Sequence, residues 1–233
     1  MSHYLSQIAF HPRHREDHRL ANVLLSTPYL QHQKLWELFE RPPGSDQPFL
    51  FRQSDRDDFP QFLVLSEGVP KARDGCWRIQ TKPFAPALSE GQVLAFSARL
   101  NPTRSLRQPG TERGKRQDLV MAALHNVASA DRAAERQRLI NVELPNWLAK
   151  RGERAGFSMV EQAGGILCAV TRYQTLRFQT SAASDNRKVT LGCADFVGHL
   201  RVDAPELFAQ TLRQGLGHGR SFGLGLMLVK RAH

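Results

Sequence analysis

The chain has little cysteine. Its three cysteines, Cys76, Cys168 and Cys193, are odd in number and far apart, which excludes a zinc ribbon or a disulfide framework and suits a reducing compartment. Each is read as a small buried residue. No apolar run approaches the roughly 18 residues of a spanning helix, and the N-terminus lacks a signal peptide's apolar centre. A soluble, cytoplasmic protein without a membrane partner is expected. Asp55, Asp57 and Asp58 cluster in a loop but lack calcium-loop spacing, so they are read as solvated. His14 and His18 stand four apart, as ligands on a helix do, yet Arg13, Arg15 and Arg19 surround them and oppose a cation. No metal and no cofactor are expected.

Positive charge is what the chain has in excess. Formal net charge is +10, and arginine supplies 25 of the 32 basic residues. The planar guanidinium suits phosphate oxygens and stacking on bases, so nucleic acid becomes the leading partner; the alternative is a basic surface without a ligand. With 233 residues and 41% hydrophobic content, the chain can build one large domain or two small ones.

In chain order, Tyr4 to Phe10 reads as a strand, and His11 to Arg19 as a solvated polar turn. Leu20 to Leu25 and Tyr29 to Phe39 read as helix, the second part opening at Thr27-Pro28. Tyr29 and His32, three apart, lie side by side on that helix and form a possible proton-transfer pair. Residues 41–46 end the helix as a turn. Phe49 to Gln53, Phe62 to Ser66, Cys76 to Thr81 and Gln92 to Leu100 follow as strands. Arg99 to Arg116 then carries six basic residues against one acidic, with two prolines and two glycines, and reads as a basic loop or hairpin reaching into a groove. A disordered basic linker is the other reading of that composition.

Leu119 to Ala128 and Glu143 to Lys150 read as helices separated by a charged connection, Ala130 to Arg138. Ile166 to Thr180 and Val189 to Val202 read as strands around a polar break at 181–186, so the second half repeats the α+β plan of the first. Asp203 is placed to cap a final helix. After it, five glycines fall within Gly215 to Gly225, and Leu224 to Val229 closes the chain as a strand. This loop runs helix to strand and ends in no Gly-Lys-Ser/Thr, which excludes a Walker loop, and it lacks the dinucleotide fingerprint. A generic turn and a phosphate cradle both fit the glycines; Arg220 and Ser221 favour the cradle.

Taken together, Tyr4-Leu5-Ser6, the Tyr29-Leu30-Gln31-His32-Gln33-x-Leu35-Trp36-x-Leu38-Phe39 helix, Phe49-Leu50-Phe51-Arg52, Arg99-Leu100-Asn101-Pro102-Thr103 and Gly215-x-Gly217-x-x-Arg220-Ser221-x-Gly223-x-Gly225-Leu226 carry a resemblance. The chain resembles the CasE family of CRISPR-associated endoribonucleases, the crRNA-processing subunit of type I-E Cascade. The resemblance implies an α+β chain of two tandem ferredoxin-like (βαββαβ, RRM-like) domains, here 1–97 with the catalytic helix and 98–233 with the basic and glycine-rich loops. It implies metal-independent cleavage of pre-crRNA at the 3′ base of the CRISPR repeat stem-loop, leaving a 5′-hydroxyl and a 2′,3′-cyclic phosphate. The protein would be a monomer alone, would keep the mature crRNA bound and would join the other Cascade subunits.

The family's catalytic histidine falls on His32 and its neighbouring tyrosine on Tyr29. Its RNA-binding segments fall on Arg99, Asn101, Arg104, Arg107, Arg113, Lys115 and Arg116, and on Gly217, Gly219, Arg220 and Ser221. The sequence departs from the family in a longer 11–27 connection and expanded 130–138 and 181–187 regions. RNA brings its own nucleophile, so one or two side chains near neutral pKa and some positive charge suffice. The competing reading is a stem-loop RNA-binding subunit that does not cut. A metal-dependent nuclease would need a carboxylate cluster that the sequence offers only at 55–58.

Overall fold

A computed structural model describes residues 2–11, 15–40, 49–54, 60–72, 75–106, 115–182 and 185–232. The first half consists of β1 (Tyr4–Phe10), α1 (Arg15–Ser26), α2 (Pro28–Trp36), β2 (Phe49–Gln53), β3 (Gln61–Ser66) and β4 (Trp77–Pro83). Its strands pair antiparallel in the order β2-β3-β1-β4, the ferredoxin-like order, with the two helices forming the crossover from β1 to β2. Between β3 and β4, where that fold normally places its second helix, the described residues are loop. The ten positions 67–76 contain Gly68, Pro70 and Gly75, too short and too broken for a packed helix.

The second half is β5 (Val93–Leu100), β6 (Thr103–Leu106), β7 (Lys115–Asp118), α3 (Leu119–Leu124), α4 (Arg132–Arg138), α5 (Leu144–Gly152), β8 (Phe157–Met159), β9 (Glu161–Gln162), β10 (Gly165–Ile166), β11 (Cys168–Ala182), β12 (Asp185–Val202), α6 (Pro205–Gln214) and β13 (Met227–Arg231). β11-β12-β5-β13 pair in the same ferredoxin-like order, with β8 alongside β12. β5 pairs along its length within this second sheet, so the expected division after residue 97 falls inside a strand. We propose the connection 84–92 as the division between domains.

Several local expectations change. The segment read as a turn up to Arg19 becomes helix from Arg15, with Ala21 and Leu24 buried against the first sheet. The charged 130–138 stretch is also helix, α4, held by Arg138 pairing with Glu135 and Glu143 at 2.8 Å. One π-turn, Leu139–Glu143, joins it to α5, because Pro145 has no N–H to continue the α-helical ladder. Asp203 does not cap α6; its carboxylate accepts from Ser158 Oγ at 3.0 Å, and Ala204 holds the cap position. The closing strand starts at Met227, three residues later than expected, because Leu224 to Leu226 still belong to the loop. Of the cysteines only Cys193 is fully buried; Cys76 and Cys168 are half-buried. Residues 41–46, 55–58 and His14 lie outside the described residues. Among the described residues no helix is long and apolar enough to cross a membrane.

Alternation along the first sheet explains how the halves meet. Ile8, Phe10, Phe49, Phe51, Phe62 and Val64 point to the side of the helices and form one core. Leu50 and Leu65, on the other face, pack with Leu226, with Leu5, Leu63 and Leu228 around them. The second core gathers Phe96, Leu100, Leu144, Leu148, Phe157, Phe196 and Phe208 between sheet and helices.

Candidate functional site

α2 is the element that presents the predicted pair. Thr27 caps it by accepting from Leu30 N at 3.3 Å, and Pro28 opens the first turn without losing a useful N–H. Leu35 and Gln31 then anchor it to the core, which turns Tyr29, His32 and Gln33 to a common side. Gln33 Nε2 donates to Tyr29 Oη at 3.0 Å and so holds the phenol in place.

His32 sits in an aromatic wall, with ring centroids 5.6 Å from Trp36, 5.4 Å from Phe49 and 6.1 Å from Phe51. Its Nε2 is buried and has no hydrogen-bond partner among the described residues. Burial lowers the imidazole pKa below the ordinary 6.5, so the ring is neutral and able to accept a proton near neutral pH. The unfolded chain therefore binds more protons than the native one as pH falls below about 6.5, and this group's contribution to stability declines with acidification until pH passes below the native pKa. Proton NMR of the His32 ring is expected to give a midpoint below 6.5; a midpoint at or above it would contradict the burial argument.

The glycine-rich loop closes on this wall. Leu216 N donates to Gly225 O at 2.9 Å, and Gly225 N donates to Arg99 O at 2.8 Å, which pins both ends of the loop to the end of β5. A Cβ on Gly215 would stand 2.8 Å from Leu50 Cδ2, and one on Gly223 would stand 3.1 Å from Phe51 Cε2, so these two glycines let the loop settle onto β2. The 3₁₀ turn Arg220–Phe222 packs against α2 and β2, and Phe222 meets Phe178 of β11 edge to face at 4.9 Å. Loop N–H groups at 216 and 222–225 are used in closing the loop. The carbonyls of Gly219 and Arg220 accept three of those bonds, and Arg220 Nη2 donates to Gly215 O at 3.2 Å.

Beneath the loop lies a polar clamp between the halves. Arg99 Nε and Nη2 donate to the two Asp195 oxygens at 2.7 and 3.0 Å, and Arg52 Nη2 from the first half approaches Asp195 at 3.9 Å. Arg99 Nη1 also donates to Gln53 O at 3.4 Å, and the Gln53 side chain accepts from Gln31 Nε2 of α2 at 2.6 Å. Arg52 completes the clamp with a 3.3 Å bond to Ser97 Oγ.

The chain matches the family model described as CRISPR associated protein over residues 3–231. The chain belongs to that family. It is 29% identical over 197 residues to the CRISPR-associated endoribonuclease Cse3 of Thermus thermophilus, covering 84% of this chain and 78% of the relative. A structure of Thermus thermophilus Cse3 bound to an RNA representing a pre-cleavage complex matches with TM-score 0.72 and 27% identity, over 99% of this chain and 100% of that one. A chain of a CRISPR RNA-guided surveillance complex, pre-nicking, shares the fold at TM-score 0.62 and 19% identity, over 98% of this chain and 100% of that one.

Within this CRISPR-associated chain the predicted residues divide into two groups. α2, which carries His32 and Tyr29, packs against the turn that carries Arg220 and Ser221, while Gly217 and Gly219 lie in the loop before that turn, a Cβ on Gly217 facing Asn101 O at 4.0 Å and one on Gly219 facing Leu224. Arg104 and Arg116 are exposed on the β6–β7 hairpin, whose second strand Lys115 opens; Arg107 and Arg113 lie outside the described residues. Arg99 and Asn101 instead are 8% and 6% exposed, and Asn101 Nδ2 donates to Gly192 O at 2.7 Å. Both stand in the frame of the site, because their polar groups are engaged by β12. Sequence reasoning missed Arg52, Gln53 and Asp195, whose pairing joins positions far apart in the chain. It also missed the aromatic neighbours Phe178 and Phe222. Among the described residues no three His, Cys, Asp or Glu side chains stand together as a metal site.

Proposed function

We propose that the chain is a metal-independent endoribonuclease that binds the stem-loop of a CRISPR repeat in pre-crRNA and cuts at its 3′ base. The observation that carries this reading is the unpaired Nε2 of a histidine kept neutral by its aromatic wall, beside Tyr29 and against a glycine loop bearing Arg220. Buried polar atoms normally have partners, and one without is explained when the partner arrives with the substrate.

In the reaction the 2′-hydroxyl oxygen attacks the adjacent phosphorus while His32 takes its proton. The P–O5′ bond breaks, the departing 5′-oxygen takes a proton from a water molecule while His32 returns its own to the hydroxide so formed, and the products are a 2′,3′-cyclic phosphate and a 5′-hydroxyl. Tyr29, steadied by Gln33, orients the scissile phosphate or shares the proton transfer. Arg220 offsets charge developing on the phosphate oxygens. An A-form stem is recognised mainly by shape and phosphates, which suits the exposed Arg104 and Arg116 on the hairpin. The likeness to Cse3, whose RNA-bound structure this chain follows over nearly its whole length, supports this reading. Retention of the product within Cascade, in the cytoplasm, belongs to the same proposal.

The test is cleavage of a repeat stem-loop with EDTA present, alongside a substrate bearing a 2′-deoxy sugar just upstream of the cut. The expected result is cleavage of the first and binding without cleavage of the second. Tight binding with no cleavage of either would make the chain a stem-loop holder, and cleavage of the deoxy substrate would exclude the 2′-hydroxyl route.

A further inference from the structure

Behind the glycine loop, between α5, α6 and the start of β6, is a cavity of about 480 Å³. Arg104, Lys150, Arg151 and Arg154 line it, and none of its lining residues is acidic. Among the described residues no carboxylate forms an ion pair with Arg104, Lys150 or Arg154. Arg151 is built into the wall: its guanidinium lies 4.6 Å from the centre of the Trp147 ring, and it donates to Thr103 O at 3.3 Å. Trp147 Nε1 donates to the same carbonyl at 3.0 Å, which fixes the base of the basic hairpin to α5.

Gathering four cations around one hollow is unfavourable without an anion. Burial, then Arg154, lowers the Arg151 pKa; burial, then Arg116, Arg151 and Arg220, lowers that of His218 in the glycine loop. Those last three cations thus converge on His218 from the hairpin, from α5 and from the loop itself. Gly215 and Leu216 line the same cavity, and further along the loop Arg220 sits in the turn that packs against α2.

We propose that this cavity is a second phosphate site, in which Arg104, Lys150, Arg151 and Arg154 hold consecutive phosphodiesters of the RNA strand that passes the glycine loop on its way to His32. The inference rests on the RNA-processing reading and adds α5 to the binding surface. Lys150 and Arg154, both exposed, can be changed without disturbing the Trp147–Arg151 stack.

The experiment measures stem-loop RNA binding against salt concentration, and single-turnover cleavage at saturating protein, for wild type and for Lys150→Ala/Arg154→Ala. Each lost phosphate contact flattens the log K against log salt slope by about 0.7–0.9, so the double variant is expected to lose about 1.5 in slope and at least tenfold in affinity at low salt, with the saturated cleavage rate unchanged. The charge-keeping pair Lys150→Arg/Arg154→Lys should restore the slope. Methylphosphonate substitution, one linkage at a time, should reveal positions that weaken wild type but not the double variant. Unchanged affinity and slope in the double variant overturn the proposal. So does unchanged RNA binding combined with lost assembly with Cascade subunits, which would mark a protein interface. Failure of wild type to bind the stem-loop at all would instead sink the RNA-processing reading, and the cavity's role with it.

Discussion

Replacing His32 with alanine is expected to slow single-turnover cleavage of a bound repeat stem-loop by about 10²–10⁴-fold while leaving affinity for the RNA unchanged. Burial holds this imidazole neutral, and the loss of a proton acceptor acts on the transition state rather than on binding. Because the ring also fills space between Trp36, Phe49 and Phe51, His32→Phe is the companion variant: it keeps the aromatic packing and should be equally inactive. Single-turnover conditions remove product release from the rate, so the measurement reads the chemical step alone. If His32→Phe cuts at the wild-type rate, the proton transfer lies with another residue.

Asp195→Ala is expected to lower the free energy of unfolding by about 3–5 kcal/mol, because it strands buried guanidinium charge that water cannot reach. Asp195 is 6% exposed and takes both Arg99 bonds as well as the approach of Arg52. Urea denaturation at neutral pH measures the loss directly. Asp195→Asn, which keeps an acceptor for one guanidinium bond, should be milder. A denaturation midpoint for Asp195→Ala within error of wild type would show that the clamp contributes nothing to stability.

The legible parts of the fold are those whose own residues carry a local signal. The apolar-polar segment Tyr4 to Phe10 and the short apolar runs in Phe49 to Gln53 and Phe62 to Ser66 mark strands, and Thr27-Pro28 marks the start of α2 because a cap and a missing N–H belong there. α4 escaped because Arg132 to Arg138 has no apolar stripe; it is held by charge pairs and by its continuity with α5. The pair on α2 was visible from spacing. The frame behind it was not, since nothing in Arg99 or Asn101 distinguishes an arginine or asparagine that meets RNA from one that meets β12. Their partners, Asp195 and Gly192, are more than ninety positions away. The basic turn of α5 is an ordinary helix end in sequence and becomes a site only when Arg104 folds against it.

The seam between the halves bears on how such a protein can be inherited. Leu50 of β2 occupies the space that a side chain at Gly215 would need, Arg52 meets Asp195, and Gln53 joins α2 to Arg99. Three residues of one short strand are each matched to a different point in the other half. Recombination that joins the front half of one relative to the back half of another must therefore bring compatible residues at all of these points at once. The two domains share an architecture, yet the seam ties each to the other residue by residue, so neither is an interchangeable module.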